Sequence, residues 1–537
     1  MDKFISNLMT SSKGTFESEM FSLVKDAQLA SHEEHFKMLK GTCDRVDFIY
    51  SLLKKSAEFK KIFSQNAEKK SNEKSMKLRT EGNNMYIREK NMLKALELYT
   101  ESIAFAESGS WYLALSYANR SSVLFEKRYY KECIKDIERA FQNDYPGHLK
   151  EKLLNRKGKA ESLKEYQKQF QYYMPAPTIQ NKNPLISAAS DSVEIRKNEK
   201  YGRHVVSTKD IQVGEVISVE NSFAHIILPK SRFINCHECL EICYNMIPCE
   251  RCTLALYCTE TCRDQAYTNY HKYECELVPL LHTHSQLSIR MALIGLKQCG
   301  KMGDTYEDET FCSDRFKEIL ELSSTSNERD FINTCIYLST VCVAYHSLMR
   351  SPSFQKDFDI NSIDGLLKDY LYRAHIILRK KVATAMYVFT GIFNHSCVPN
   401  CEFFHHGSNL VIRAIANIKK GEQCTICYGI SFSTTNILYR QRTLKNVYMF
   451  DCDCKACINK WPVFDNLPLG KPLPTWFEAK MMQNTFENTK NWDEILPDVL
   501  HLYNAYEKYE PCQNLLLLQN LISEMLTDKG CNKDLDF

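Results

Sequence analysis

The chain has 537 residues, long enough for several domains each burying its own core, and sets 69 basic against 66 acidic residues for a formal charge of +3. That balance leaves no net electrostatic footprint for nucleic acid, so any contact with one would be local. With no secretory leader expected, the 23 cysteines suit a reducing compartment better than a disulfide framework.

Residues 1–77 read as lysine-rich and helical, with Phe48, Ile49, Leu52 and Leu53 at helical spacing and the basic stretch Lys54 to Arg79 as a solvated helix face. A repeat follows over 78–175. Gly82, Ala95, Tyr99 and Ser102 in its first copy correspond to Ser121, Cys133, Ile137 and Ala140 in the second, which closes on Asp144, Tyr145 and Pro146. A degenerate third unit runs from His148 through Asn155, Gly158 and Ala160 to Tyr166. The pattern resembles tetratricopeptide repeats, whose paired helices meet through small residues and stack into a concave surface suited to peptides.

A proline break at Pro175, Pro177 and Pro184 ends the helical region, and within 190–235 the stretch Glu194 to Asn221 alternates as strands around a turn at Gly214. Residues 236–275 then carry Cys236-x2-Cys239, Cys249-x2-Cys252, Cys258-x3-Cys262 and His271-x3-Cys275. Eight thiolate and imidazole ligands make two closed tetrahedral zinc sites, because each close pair supplies two ligands from one turn. A cross-braced arrangement gives one ion Cys236, Cys239, Cys258 and Cys262, and the other Cys249, Cys252, His271 and Cys275. Cys243 falls off this spacing and reads as a spare thiol. So small a segment would unfold without its metal.

Residues 276–385 return to helical patterning. Their uncharged run Phe331 to Met349 contains Asn333, Thr334, Ser339, Thr340, His346 and Ser347, and reads as a buried helix rather than a membrane span. Short strands and turns are expected from Ala383 to Tyr428. In 451–460, Cys452-x-Cys454-x2-Cys457 supplies three ligands and needs a fourth, for which Cys397 is the natural donor. Four cysteines leave no open coordination position, so this third zinc ion is structural. The remainder, 461–537, reads as helical, with Leu515, Leu518, Leu521, Ile522 and Met525 on one face.

The zinc spacing of 236–275 resembles the MYND finger, a protein-binding module. Three further pieces, Tyr201 to Val206 (YGRHVV), Phe393 to Cys401 (FNHSCVPNC) and Gly421 to Gly429 (GEQCTICYG), together resemble a SET domain. His204 stands where that family often has a second glycine, and Phe393 where a smaller aliphatic residue is commoner. A SET domain split by a MYND finger is the architecture of the SMYD lysine methyltransferases, and the N-terminal repeats with a short tail resemble the fourth subfamily.

The resemblance implies an α+β multidomain fold. Its β-rich SET domain (190–235 and 386–450) is split by the MYND finger and the helical insert, and flanked by the repeats and the C-terminal helices. It implies methyl transfer from S-adenosylmethionine to a protein lysine, histone or non-histone, with Tyr201, Gly202, Arg203, Asn394, His395 and Phe450 lining the cofactor pocket and Tyr428 both there and at the transfer channel. It also implies proline-rich peptide partners for the MYND finger and histone deacetylase or chaperone-type partners for the repeats. A monomer in nucleus and cytoplasm is expected, without membrane attachment or sequence-specific DNA binding. The alternative is an inactive adaptor that recruits partners such as transcriptional corepressors.

Overall fold

A computed structural model describes residues 20–64, 68–166, 177–277, 283–299, 311–322, 331–379, 385–486 and 492–528. Pro175 lies outside them. The N-terminal helix Thr42–Leu53 turns Val46, Ile49 and Leu53 inward, a helical stripe. It packs on two helices of the insert, Phe331–Met349 and Ile360–Arg379. Polar contacts fix the docking: Tyr50 Oη lies 2.6 Å from His346 Nδ1, and Lys368 Nζ pairs with Asp47 at 2.6 Å. The N-terminal segment therefore completes the insert's helical bundle. Phe331–Met349 is long and apolar enough to cross a membrane, yet Cys335, Leu338, Cys342, Ala344 and Leu348 on it are buried in protein.

The repeats form the helices Asn72–Ile87, Met92–Phe105, Trp111–Glu126, Tyr130–Gln142 and Lys150–Leu163. Ser71 starts the first, its side chain accepting from the Lys74 N–H at 3.2 Å. The first two helices meet at Gly82, where a Cβ would come within 2.6 Å of the Tyr99 ring, so no larger residue fits without moving it. Ser102 Oγ lies 2.9 Å from Ser75 Oγ and 2.7 Å from Ser116 Oγ, satisfying three buried hydroxyls among three helices.

One buried ion pair ties the repeats to the cysteine-rich segment. Arg120 and Asp136, both 0% exposed, meet through Nε to Oδ2 at 2.7 Å and Nη2 to Oδ1 at 2.9 Å. The same Nη2 donates to Met246 O at 2.9 Å, and Tyr129 stacks on Tyr244. Met246 precedes β5 (Ile247–Pro248), which pairs antiparallel with β6 (Leu256–Tyr257).

The part of the chain that carries the SET-like motifs is built from short strands. A hairpin joins β1 (Val193–Asn198) to β2 (Gly202–Ser207), and β3 (Val216–Asn221) lies beside β10 (Asn409–Ala414), which pairs with β9 (Cys401–His406). Antiparallel β4 (Ala224–His225) and β7 (Ala385–Met386) bracket the insert. The one parallel pair among the described strands is β8 (Asn394–His395) with β11 (Thr425–Ile426), Asn394 facing Thr425 and His395 facing Ile426. That pairing lays the FNHSC segment against the strand that leads into Tyr428.

The C-terminal helices Trp492–Tyr506 and Gln513–Asp528 form an antiparallel pair with Leu518, Ile522 and Met525 fully buried, each worth about 1.5–3 kcal/mol. They pack on the SET core instead of trailing from it. Asn417 Nδ2 donates to Asn504 Oδ1 at 2.8 Å, and Gln519 Nε2 to Pro399 O at 3.5 Å.

Candidate active site and metal centres

The folded chain gathers twelve cysteine and histidine ligands into three groups: Cys236, Cys239, Cys258 and Cys262; Cys249, Cys252, His271 and Cys275; and Cys397, Cys452, Cys454 and Cys457. Within each group the donor atoms lie within 4.8 Å of one another. Metal–sulfur bonds of about 2.3 Å in a tetrahedron set sulfurs about 3.8 Å apart. Cys239 and Cys258 are separated by 3.6 Å, Cys249 and Cys275 by 3.8 Å, Cys397 and Cys457 by 3.6 Å, and Cys397 and Cys452 by 4.0 Å. A disulfide needs about 2.05 Å, so these sulfurs are not bonded to one another, and each group can form a cage for one metal ion. The cross-braced pairing and the role of Cys397 follow from the same grouping. Cys243 stays outside, its thiol 3.2 Å from Asn245 Oδ1.

The insert supports the second cage. His271 Nε2 faces Cys252 Sγ at 3.5 Å, and its Nδ1 faces Glu274 Oε2 at 3.8 Å. Burial would raise the Glu274 carboxyl, but Arg290, bound to both its oxygens at 2.6 and 2.9 Å, and His271 hold it down to about 2. A carboxylate kept ionised behind the ring orients the imidazole and makes it a better donor to metal.

Beside the third cage opens a cleft of about 1250 Å³. Tyr201, Asn394, His395, Tyr428 and Phe450 line it, with Tyr503, Leu515 and Gln519 of the C-terminal helices along another side. Gly202 and Arg203 do not line it. Gly202 has φ +64°, the left-handed conformation that glycine adopts without strain, and turns β1 into β2. The Arg203 guanidinium instead reaches the insert, pairing with Glu318 at 3.5 Å and Glu321 at 3.1 Å. His204, in the family's glycine position, is buried with Nδ1 3.0 Å from Gly202 O.

Tyr428 is held at three atoms. Its backbone N–H donates to His395 Nδ1 at 3.0 Å, its carbonyl accepts from Tyr448 Oη at 2.9 Å, and its hydroxyl donates to Phe393 O at 2.7 Å. Burial, with Tyr448 alongside, keeps the phenol above the usual tyrosine range, so the hydroxyl stays protonated. Burial pushes His395 down to about 4, leaving a neutral ring. Asn394 Nδ2 is steered by Gln423 Oε1 at 3.1 Å and Tyr201 O at 3.4 Å. Asn400 locks the loop to β11, donating to Gln423 O at 2.8 Å and accepting from Thr425 N at 2.8 Å.

Gln423, Tyr448 and the C-terminal wall are the participants that sequence reasoning did not single out. Gln423 lies within the quoted GEQCTICYG stretch and Tyr448 two residues before Phe450, so proximity to the motifs was the available signal. Nothing local marks Tyr503 or Gln519.

Residues 202–429 match the SET domain family. Mouse "Protein-lysine N-methyltransferase SMYD4" is 24% identical over 548 residues, covering 74% of this chain and 68% of its own. The human protein of that name is 23% identical over 534 residues, covering 71% and 66%. Mouse "Histone-lysine N-methyltransferase SMYD3" is 24% identical over 348 residues, covering 61% and 77%. The chain spans about two thirds of the length of the mouse, orangutan and human SMYD4 relatives. Among solved structures, the SET domain of LSMT bound to lysine and AdoHcy covers 54% of this chain and 56% of its own at 13% identity and a TM-score of 0.26.

Proposed function

We propose that the chain is a member of the SMYD family and a protein-lysine N-methyltransferase using S-adenosylmethionine, which its similarity to SMYD relatives and its SET match support. The observation that carries the reading is Tyr428, fixed at three atoms on the wall of a cleft that also holds Asn394 and Phe450.

The cleft fits the cofactor. Its volume exceeds what a small ligand needs, and its lining sets an aromatic ring, Phe450, beside a steered amide, Asn394. Phe450 suits stacking on adenine, while the amide of Asn394 suits a polar end of the cofactor. When bound, S-adenosylmethionine supplies an electrophilic methyl group on a sulfonium.

The protein has to align the attacking amine and keep it neutral. With a reference lysine pKa of about 10.4, removing the proton at pH 7 costs about 4–5 kcal/mol. Tyr428 and the aromatic residues around it desolvate the amine, which lowers that pKa. The Tyr428 O–H donates to Phe393 O, so its oxygen keeps lone pairs to accept an amine N–H and aim the nitrogen lone pair.

All eight ligands of the MYND-like segment fall into two groups that can each close around a metal ion, leaving neither group an open coordination position. That supports a binding role there, for proline-rich peptides. Calorimetry with S-adenosylmethionine on wild type and Asn394→Ala tests the assignment: binding to wild type, lost in the variant, is expected. Absence of binding to wild type would favour the adaptor reading instead.

A further inference from the structure

The parallel ladder between β8 and β11 ends one residue short of Cys427. Its last rung is Ser396 N donating to Ile426 O at 3.0 Å. Beyond it the backbone N–H of Tyr428 has no ladder partner, and a covered N–H must find one elsewhere. His395 supplies it: Nδ1 accepts that N–H at 3.0 Å. A ring nitrogen that accepts from an amide carries no proton, so in the neutral imidazole the proton sits on Nε2. Nε2 faces Cys397 Sγ at 3.3 Å, and Cys397 belongs to the third metal cage. One imidazole thus spans the metal cage and the backbone of Tyr428.

We propose that the His395 side chain is a positioning residue that ties the placement of Tyr428 to the third metal site, donating Nε2–H to the Cys397 thiolate and accepting Tyr428 N–H at Nδ1. The proposal rests on the methyltransferase reading only for its kinetic consequence. A thiolate that accepts an N–H bond is held in place and carries less charge, as expected for the groups just outside a metal's ligands. Displacing Cys397 would carry the ring, and with it Tyr428, out of line, and misplacement of this kind lowers turnover without a loss of substrate affinity.

The two halves of the relay separate by substitution. In His395→Asn the side-chain oxygen sits near the place of Nδ1 and can accept Tyr428 N–H, while the contact to sulfur is gone. In His395→Gln the amide reaches the place of Nε2 and can donate to sulfur, while the acceptor for Tyr428 is gone. Cadmium NMR on cadmium-exchanged full-length protein reads the sulfur half without any enzymatic assay, the third site being the resonance that disappears in Cys457→Ser. The expected result is a shift of that resonance in His395→Asn and His395→Ala but not in His395→Gln.

For the Tyr428 half, kcat should fall about tenfold or more in His395→Gln and His395→Ala, with partial recovery in His395→Asn and a loss of S-adenosylmethionine affinity smaller than the loss of kcat throughout. A third-site resonance unmoved by all three variants would overturn the sulfur contact, whatever the activity. Cofactor affinity falling in step with kcat would overturn the positioning role, because the side chain would then be acting on the cofactor.

Discussion

Replacing Tyr428 by Phe removes one oxygen and leaves the ring in place. In the folded protein that oxygen donates to Phe393 O at 2.7 Å. Loss of a neutral hydrogen bond of this kind costs about 0.5–1.5 kcal/mol of stability. In the transition state the hydroxyl faces a nitrogen that is becoming positively charged, and hydrogen bonds to charged groups are worth about 1.5–3 kcal/mol. The predicted loss in kcat is therefore about 10- to 150-fold. Cofactor affinity should be nearly unchanged, since the hydroxyl holds the amine and not the nucleoside. Single-turnover transfer of labelled methyl to a substrate protein gives kcat per folded molecule, calorimetry gives cofactor affinity, and thermal melting gives stability on the same sample. Turnover within twofold of wild type, with only the melting temperature lowered, would make Tyr428 a structural tyrosine and refute the assignment.

Breaking the fully buried Arg120–Asp136 pair with Asp136→Ala should cost about 3–5 kcal/mol, measured by urea unfolding, and raise hydrogen exchange near Met246. The double variant Arg120→Met with Asp136→Leu should recover most of that loss, because the desolvation of two charges goes with them. Metal analysis of the purified chain should return three zinc ions, and chelation should raise hydrogen exchange in 236–275 before it does so in the repeats. His346 gives a pH signature: burial, with Arg350 and Lys54 nearby, pushes it from 6.5 down to about 4 in the folded protein. The unfolded chain takes up this proton first, so stability should be lost as pH falls from about 6.5 to about 4, and His346→Gln should flatten that part of a melting-temperature profile.

The metal centres were legible because close spacing forces them. A Cys-x2-Cys pair can hardly avoid presenting two sulfurs to one ion, and the three remaining thiols of 452–457 demanded a donor that Cys397 supplies. Gly82, Tyr99 and Ser102 were legible for a similar local reason, the close approach of two helices joined by a short turn. The N-terminal helix was read as helix but not as part of the insert, because Tyr50 meets His346 and Asp47 meets Lys368 across about three hundred residues, and no local pattern encodes such a pairing. The engagement of Arg203 with Glu318 and Glu321 was hidden in the same way, as was the C-terminal wall of the cleft. Apolar periodicity reveals that Leu518 and Ile522 face something, and not that the neighbouring Leu515 and Gln519 face the cleft.

The ligands of the third metal site lie on either side of Tyr428, with Cys397 and Cys452 separated by 55 positions. Zinc there closes a ring of chain with the putting-in-place of Tyr428 inside it, and such a closure is harder to form than one between neighbours. During synthesis the ring stays open until Cys457 has left the ribosome, so the earlier motif is finished only after the later one exists. A product stopped anywhere between Gly429 and Cys457 would carry every cleft residue up to Tyr428 and still lack the clasp.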